Sequence, residues 1–477
     1  PRGMSLFTLL YPSRYLAGLF SPVDCLNQKL SLKALEHQIE NALKPALKEL
    51  RRYQSAKNQR ADARWYYLAP MLLDEPDAVE DWLQAFSSVQ DEDAETRGQR
   101  GKETHVERLR EELDSFLRYD DSKMAAPDLG EMPDDLLRVL VDEAIASPAI
   151  CIFRANGGFA GRASELATQF IHRFNEPEAT SIIELSQQQV DEPFWKKLLR
   201  YAKDGCFQAM IDEYYHIVAD GLKFSVAEEK DAAIHQKMMG AMTFRSATYV
   251  VDHYASFEKR IANEETAKQG MRMRTHFAVA FSKSEGDKES SGQRKESLRS
   301  AFNSPLRPFV LATTSIGQEG LDFHSYCRKV MHWNLPSNPI DIEQREGRVN
   351  RYKCLAVRQS IAQLYGGIPF QKNVWEEMFD KAITEKDDAC QSELVPYWCA
   401  GSDQPVKVER IVPMYPMSQD ELKYDRLIQI LSLYRLTLGQ SRQEGLLEHL
   451  SSHIKDADFL KKLFMNLSPW NRKQSML

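Results

Sequence analysis

The sequence predicts an α/β protein: a parallel-sheet lobe with a large helical insertion, flanked by regions that are entirely helical. Three observations support this fold class. Short apolar runs rich in β-branched residues alternate with helical patterns between residues 134 and 370. A long stretch inside that region shows helical periodicity alone. Before it, apolar side chains recur at helical spacing, as in Leu35, Ile39 and Leu43. Alternating strands and helices are typical of a doubly wound parallel sheet.

Composition excludes several classes of protein. The 477 residues contain 62 Lys and Arg against 69 Asp and Glu, a net charge of −7, so a basic coat for nucleic acid is excluded although a local basic groove is not. No stretch approaches the ~18 consecutive apolar residues of a membrane span. With 22 Phe, 18 Tyr and 7 Trp, the chain has ample core material and is not wholly disordered.

The cysteines predict a reducing compartment. There are seven, an odd number, and none forms a CxxC pair. We therefore expect free thiols, no zinc site and a cytoplasmic location. The first residues make a poor signal peptide. The chain begins with Pro rather than Met, which a tag scar or a fragment of a longer protein would explain.

Four regions are expected along the chain. Residues 1–133 form a helical region, and 371–477 form a C-terminal helical domain. The sheet lobe is split into 134–184 and 270–370. Residues 185–269 lie between these parts as a helical insertion.

The elements of the lobe follow from short sequence patterns. AICIFR at 149–154 predicts a strand, and a Gly-rich turn and a helix follow it. Further strands are predicted at 275–281, 307–314 and 329–335. SNP before residue 340 predicts a capped helix from Asn338 to Arg351.

A second kind of pattern stands at the end of that predicted helix. Gln344, Gly347, Arg348 and Arg351 read Q-x-x-G-R-x-x-R. Arginines three apart project from one helix face, and two planar cations there suit a polyphosphate. Gly347 permits close backbone approach. The alternative is a solvated face with ion pairs to nearby glutamates, Glu343 and Glu346 being available.

Polar residues also follow the predicted strand at 307–314. Thr313 and Thr314 stand at its carboxyl end, where ligands bind in open α/β sheets. Their hydroxyls are suited to a nucleic-acid phosphate, although turn formation is the simpler explanation. Gly320 permits a tight turn. Asp322 is suited either to a ribose hydroxyl or to holding an arginine.

Together, these segments resemble motifs V and VI of superfamily 2 helicases and translocases. HWNLPSNPIDIEQREGRVNRY is most similar to the Swi/Snf-type and RapA-like branch. Four further segments resemble large bacterial helicase-related proteins often found in phage-defence loci. They are AFNSPLRPFVLATTSIGQEGLDFH, WYYLAPMLL, DGCFQAMIDEY and LYRLTLGQSRQEGLL. The closer likeness covers about 45 residues, and the looser one covers most of the chain.

The resemblance implies a RecA-like fold for the lobe and roles for particular residues. Arg348 and Arg351 would be arginine fingers that reach ATP, and Gln344 would contact the γ-phosphate or the attacking water. Gly320, Asp322 and Gly347 would line the cleft between lobes. The residues implied to contact nucleic acid, with DNA as the expected kind, are Thr313, Thr314 and, in the segment at the place of motif IV, Arg154.

A motor of this type needs a first lobe with a phosphate loop, and the sequence has no G-x-x-x-x-G-K-[ST]. LLRVLVDEAI, from Leu136, imitates the strand and Asp-Glu of a metal-binding motif, but PDD before it and its apolar spacing favour a helix. ATP and Mg²⁺ are thus expected to be held mainly by an N-terminal RecA-like lobe upstream or on another chain. Proteins of a defence system are further candidate partners.

Two other functions are weighed against the ATP-driven motor. One is a non-catalytic RecA-like scaffold that docks other proteins. Its weakness is that a scaffold has no need of two arginines on one face. The other is a nuclease or nucleotide hydrolase that acts alone, for which the sequence offers neither a metal-ligand cluster nor a nucleophile-base pair.

Overall fold

The computed structural model describes most of the chain. The described residues are 4–55, 58–96, 105–117, 128–187, 192–220, 222, 224, 226–242, 247–251, 254, 271–275, 296–306, 308–313, 322–386, 392–401, 404–437, 443–454, 456 and 459. The chain divides into two compact units. Unit 1 comprises 1–243 and 369–372, and unit 2 comprises 244–368 and 373–477.

The regular elements among the described residues of unit 1 are helices, and two isolated β-bridges join Gln54 to Leu129 and Ala61 to Glu131. Its α-helices are α1 (Phe7–Leu10), α2 (Arg14–Ala17), α3 (Pro22–Gln28), α4 (Leu32–Leu50), α5 (Trp65–Leu73), α6 (Pro76–Thr96), α7 (His105–Leu117), α8 (Leu136–Ala146), α9 (Pro148–Ala155), α10 (Ala160–Phe174), α11 (Pro177–Ser186), α12 (Phe194–Asp204), α13 (Phe207–Ala219) and α14 (Ala227–Met242). Short 3₁₀ turns lie at Met4–Leu6 and Arg51–Tyr53. No helix among the described residues is long and apolar enough to cross a membrane.

The core of unit 1 forms around helix α8, which is buried along most of its length, helix α9, and the apolar face of α10. α9 packs against α10 and α13, while α8 packs against α4 and α12. Trp82 of α6 is buried and donates its indole N–H to Ser164 Oγ at 2.7 Å, which satisfies the one polar group of this large side chain.

Two sequence predictions for helices in unit 1 are confirmed. Ser31 caps α4, and Leu35, Ile39 and Leu43 are buried along one face of it. The apolar stretch from Leu136 is the helix α8 rather than a strand that ends in a metal-binding pair.

The predicted strand at 149–154 is wrong, because these residues belong to helix α9. Pro148 stands at the first turn, where its fixed φ favours a helix. Residues 149–152 are all buried, and a short apolar run enclosed by neighbouring helices has no periodicity that distinguishes it from a buried strand. Residues 134–184 also lie in unit 1, so the chain does not divide at the expected start of the sheet lobe.

Unit 2 contains both helices and strands. Its described α-helices, besides the helical residues 296–302, are α15 (Pro339–Gly347), α16 (Leu355–Tyr365), α17 (Val374–Thr384), α18 (Asp420–Tyr434) and α19 (Gln443–His453), with a 3₁₀ turn at Arg435–Thr437. Its described strands are β1 (Ala247–Val251), β2 (Met271–Thr275), β3 (Lys329–Met331) and β4 (Glu409–Ile411). This mixture agrees with the α/β class in its coarse form.

The described strands form two small sheets. β1 pairs antiparallel with β2, with Tyr249 opposite Met273. β3 pairs parallel with β4, with Val330 opposite Arg410. β3 confirms the strand predicted within 329–335. β1 corrects the prediction that 185–269 is purely helical.

The strand predicted at 307–314 is not observed in its described part, 308–313. Phe309 and Val310 are 75 % and 81 % exposed rather than buried. β-branched residues favour a strand only where neighbouring strands and a packed face receive them, and none of the described strands pairs with this segment. Of the strand predicted at 275–281, only Thr275, the last residue of β2, is described.

Candidate functional site

The segment from β3 through α15 to residue 358 contains the arginines singled out by sequence. Asn338 caps α15, because its side chain accepts a hydrogen bond from Ile340 N at 3.0 Å, and Pro339 stands at the first turn. Gln344 is exposed on this helix. Gly347 is its last residue.

The helix ends four residues before the predicted end at Arg351. Arg348 N and Val349 N bond to carbonyls three residues back, at 3.2 and 3.0 Å, which tightens the last turn. The carbonyl of Arg348 instead accepts Phe323 N at 2.9 Å. The two arginines therefore flank a turn that closes onto residues 322–323, and the prediction that both lie on one helix is wrong.

Asp322 and Arg351 form an ion pair with 3.1 Å between Oδ1 and Nη2. Of the two roles expected for Asp322, the structure thus shows the one of holding an arginine. Asn303 fixes the same loop: its Nδ2 donates to Asp322 O at 2.7 Å, and its Oδ1 accepts Ser325 N at 3.1 Å. Both charged side chains are about 40 % exposed, so the pair contributes little to stability.

The glutamates beside the arginines are engaged elsewhere. Arg435 Nη2 donates to Glu343 Oε1 at 2.6 Å. Arg410 of β4 bonds both carboxylate oxygens of Glu346, with 2.8 Å from Nη2 to Oε2, and His332 Nε2 lies 3.2 Å from Oε1. The ion pairs that would explain the arginines as a solvated face are absent from the described residues.

These contacts change the electrostatics of Glu346. Burial alone would raise the pKa of its carboxyl group, but the hydrogen bonds from Arg410 and His332 and their charges outweigh burial and lower that pKa. Glu346 is therefore ionised at neutral pH, and Arg410 neutralises it. Glu346 therefore does not neutralise the positive charge of Arg348, which follows α15.

Arg348 and Arg351 each retain an unused donor. Both side chains are half-buried, and Nε of each is shielded from solvent without a hydrogen-bond partner among the described residues. A guanidinium with free N–H groups is suited to a planar, bidentate contact with phosphate. The arrangement can receive an anion, which would satisfy these donors.

His324 belongs to the same neighbourhood and was missed by the sequence analysis. Burial lowers the pKa of its imidazole, and the cations Arg358, Arg351 and Arg299 lower that pKa further, against the opposing effect of Asp322. The one feature of the sequence that could have pointed to His324 was its position two residues after Asp322, in the string DFH. Besides burial, one carboxylate and three cations thus act on this ring.

Arg358 is the last residue of the candidate segment, and the structure buries it. It is 1 % exposed, its Nη1 donates to Lys353 O at 2.7 Å, and its Nη2 donates to Ser325 O. The guanidinium lies 5.4 Å from the ring of Tyr326. This residue joins the loop after Asp322 to the turn after Arg351.

The remaining predicted residues of this segment are placed as follows. Thr313 is exposed and outside any strand. Thr314 and Gly320 lie outside the described residues. A Cβ at Gly347 would meet no described atom within 4 Å, so the space beside its Cα is open to a ligand.

The comparison with family models addresses this segment directly. Residues 256–353 match the helicase conserved C-terminal domain. The match supports a helicase C-terminal lobe at this place and, with it, a RecA-like fold. No curated protein and no solved structure matches the chain.

The helicase C-terminal segment contains Arg348, Arg351 and Asp322, and it ends at residue 353. Domains of this kind belong to nucleic-acid motors that use ATP and Mg²⁺. No group of three or more His, Cys, Asp or Glu side chains that could hold a metal ion occurs in the part of the chain that the structure describes.

Arg154 lies in unit 1, far along the chain from this segment. It donates to Ala17 O at 2.9 Å, Leu16 O at 3.1 Å and Gln208 Oε1 at 3.1 Å, and also to Ala144 O. Four of its five N–H groups are thus used within the helical core. We assign Arg154 to the fold of unit 1 rather than to a nucleic-acid surface, because only one of its N–H groups is left without an acceptor.

Proposed function

We propose that this chain supplies the second motor lobe of an ATP-dependent nucleic-acid helicase or translocase. Arg348 and Arg351 act as arginine fingers on the γ-phosphoryl group, and Gln344 contacts that group or the attacking water. Asp322, Gly320 and Gly347 line the cleft. ATP and Mg²⁺ are held mainly by a phosphate-loop lobe that these residues do not include.

The observation that carries this proposal is the pair of unused Nε donors on Arg348 and Arg351. They stand in a segment that matches a helicase C-terminal domain. Glu343 and Glu346, the nearest acidic residues in sequence, are paired with Arg435 and Arg410. Arg351 is paired with Asp322 through Nη2, but its Nε and that of Arg348 have no partner among the described residues. Two guanidinium groups at one turn are suited to stabilising a leaving phosphoryl group.

The track for nucleic acid is proposed from residue type and charge. Thr313 and Thr314 contact the phosphate backbone through hydroxyl and N–H groups. Residues 328–358 contain seven basic and three acidic side chains in a chain whose net charge is −7, although one of the seven, Arg358, is buried within the fold. From the sequence resemblance, we propose that the motor is of the Swi/Snf-type or RapA-like kind and that its nucleic acid is DNA. The same resemblance leads us to propose a cytoplasmic role in anti-phage defence.

The experiment is ATP turnover by the purified 477-residue chain, with and without DNA, beside its Arg348→Ala variant. We expect no turnover from either, because no phosphate loop occurs in the sequence. Arg426→Ala is the matched control, since Arg426 is an exposed arginine of α18 in the same unit.

The outcomes separate the parts of the proposal. DNA-stimulated turnover that is lost in Arg348→Ala would keep the arginine role but place a phosphate site within this chain. Measurable turnover that is equal in wild type and Arg348→Ala would contradict the arginine role. It would leave the scaffold as the better function.

A further inference from the structure

The end of α15 is fixed from another part of the chain. Glu346 stands immediately before Gly347, the last helical residue, and two residues before Arg348. Its carboxylate receives two N–H groups of Arg410 and lies 3.2 Å from Nε2 of the buried His332. The side chain that precedes the functional turn is thus held by Arg410 of β4 and by His332, the residue that follows β3.

Arg410 is itself held in place. Its Nη1 donates to the Tyr424 hydroxyl of α18 at 3.3 Å, so each nitrogen of the guanidinium has a partner. Both charged side chains of the Arg410–Glu346 pair are about three-quarters buried. A guanidinium group that binds both oxygens of a carboxylate fixes the relative orientation of the two groups as well as the distance between them.

The position of Arg348 depends on this anchor through a short rigid path. Glu346 O accepts the N–H groups of Val349 and Asn350 at 3.0 and 2.9 Å, which shapes the turn. Arg348 O is bound by Phe323 N, so the turn is held from the opposite side as well. Between these two attachments only Gly347 and Arg348 remain, and Gly347 has no side chain to restrain the backbone.

We propose that Arg410 and Glu346 are a positioning pair that orients Arg348 for its phosphate. This inference rests on the function proposed above and goes beyond it, because Arg410 lies outside the segment that matches the helicase C-terminal domain. Neither residue touches the phosphate. They determine where the Arg348 guanidinium stands before the anion arrives.

Substitution of Glu346 distinguishes positioning from plain electrostatics. Glu346→Gln removes a negative charge close to an anion site, so electrostatics alone would tighten anion binding. Positioning predicts the opposite sign, since the amide no longer holds the Arg410 fork through two oxygens. The variant is nearly isosteric, which limits its effect on folding.

The test measures tripolyphosphate binding to the full 477-residue chain by calorimetry. The variants are Glu346→Gln, Arg410→Gln, their double variant and Arg348→Gln. We expect each single change of the pair to weaken binding about three- to ten-fold, and the double variant to be no weaker than either, because the two residues act as one unit. Arg173→Gln is the matched control: this half-buried arginine of unit 1 is paired with Glu176 at 2.8 Å.

A second readout follows the arginine itself. The ¹H–¹⁵Nε resonance of Arg348, assigned by its loss in Arg348→Gln, is expected to shift in Glu346→Gln before any anion is added. Thermal unfolding is measured for each variant. If Arg410→Gln does not fold, Glu346→Gln carries the test.

Failure of this inference and failure of the proposed function give different results. If Arg348→Gln weakens binding while Glu346→Gln tightens it or leaves it unchanged, the positioning role is overturned and the arginine role stands. Additive losses in the double variant would also overturn it. If Arg348→Gln leaves binding unchanged, the phosphate role of Arg348 falls, and the positioning role falls with it.

Discussion

Replacement of the buried Arg358 by methionine should destabilise the region around the turn between Arg348 and Arg351. Methionine is similar in length but cannot donate hydrogen bonds to the carbonyls of Lys353 and Ser325. These carbonyls belong to the two segments that contain Arg351 and Asp322. A hydrogen bond from a charged group contributes ~1.5–3 kcal/mol, and part of that is regained because the buried charge is removed too. We therefore expect a loss of about 3 kcal/mol.

For a unit of this size, 1 kcal/mol corresponds to ~2–4 °C, so the unfolding temperature should fall by roughly 6–12 °C. Calorimetry measures the shift, and hydrogen exchange followed by mass spectrometry locates it. The amides of Phe323 and Leu355, which bond to Arg348 O and His324 O, should lose protection first. Arg426→Ala, an exposed control on α18, should stay within ~0.5 kcal/mol of wild type. A shift below 2 °C in Arg358→Met, with protection unchanged, would refute this structural role.

Three further predictions concern single positions. Gly347→Ala should leave the unfolding temperature unchanged or slightly raised, since no described atom obstructs a Cβ there. The same change should weaken tripolyphosphate binding measured by calorimetry, and tighter or equal binding would show that no ligand approaches this backbone. Asp322→Asn should change the free energy of unfolding in denaturant titration by less than ~1 kcal/mol because the pair is exposed, and a larger loss would mean that the ion pair holds the loop. Burial raises the pKa of Asp212 to about 6, so the native state keeps a proton that the unfolded chain releases near pH 4, and stability should fall as pH rises from about 4 to 6. Asp212→Asn should flatten that pH profile of thermal unfolding, and an unchanged slope would contradict the assignment.

Sequence patterns predicted local structure where one element contains its own signals. α8 and α4 have apolar residues at helical spacing, and Asn338 with Pro339 defines the start of α15. The run at 149–154 follows Pro148, which favours a helix start, but this signal was outweighed by its apolar composition. Residues 149–152 are all buried, so only the helices around them distinguish a buried helix from a buried strand.

The sequence proposed residues for the candidate site but not the contacts that they make. Arg348, Arg351 and Asp322 were identified from their spacing and type, and Asp322 does hold an arginine. The partners of Glu343 and Glu346 lie 92 and 64 residues away in the chain, and no local pattern specifies such pairs. Arg154 was misplaced for the same reason, since its acceptors are mostly backbone carbonyls brought close by packing.

The central claim is that Arg348 acts on the phosphate of ATP. The most direct measurement is DNA-stimulated ATP turnover by the complete gene product that carries these residues, for wild type and Arg348→Ala. We expect Arg348→Ala to lower turnover ~10³-fold or more at an unchanged unfolding temperature. Equal turnover in the two proteins would contradict it.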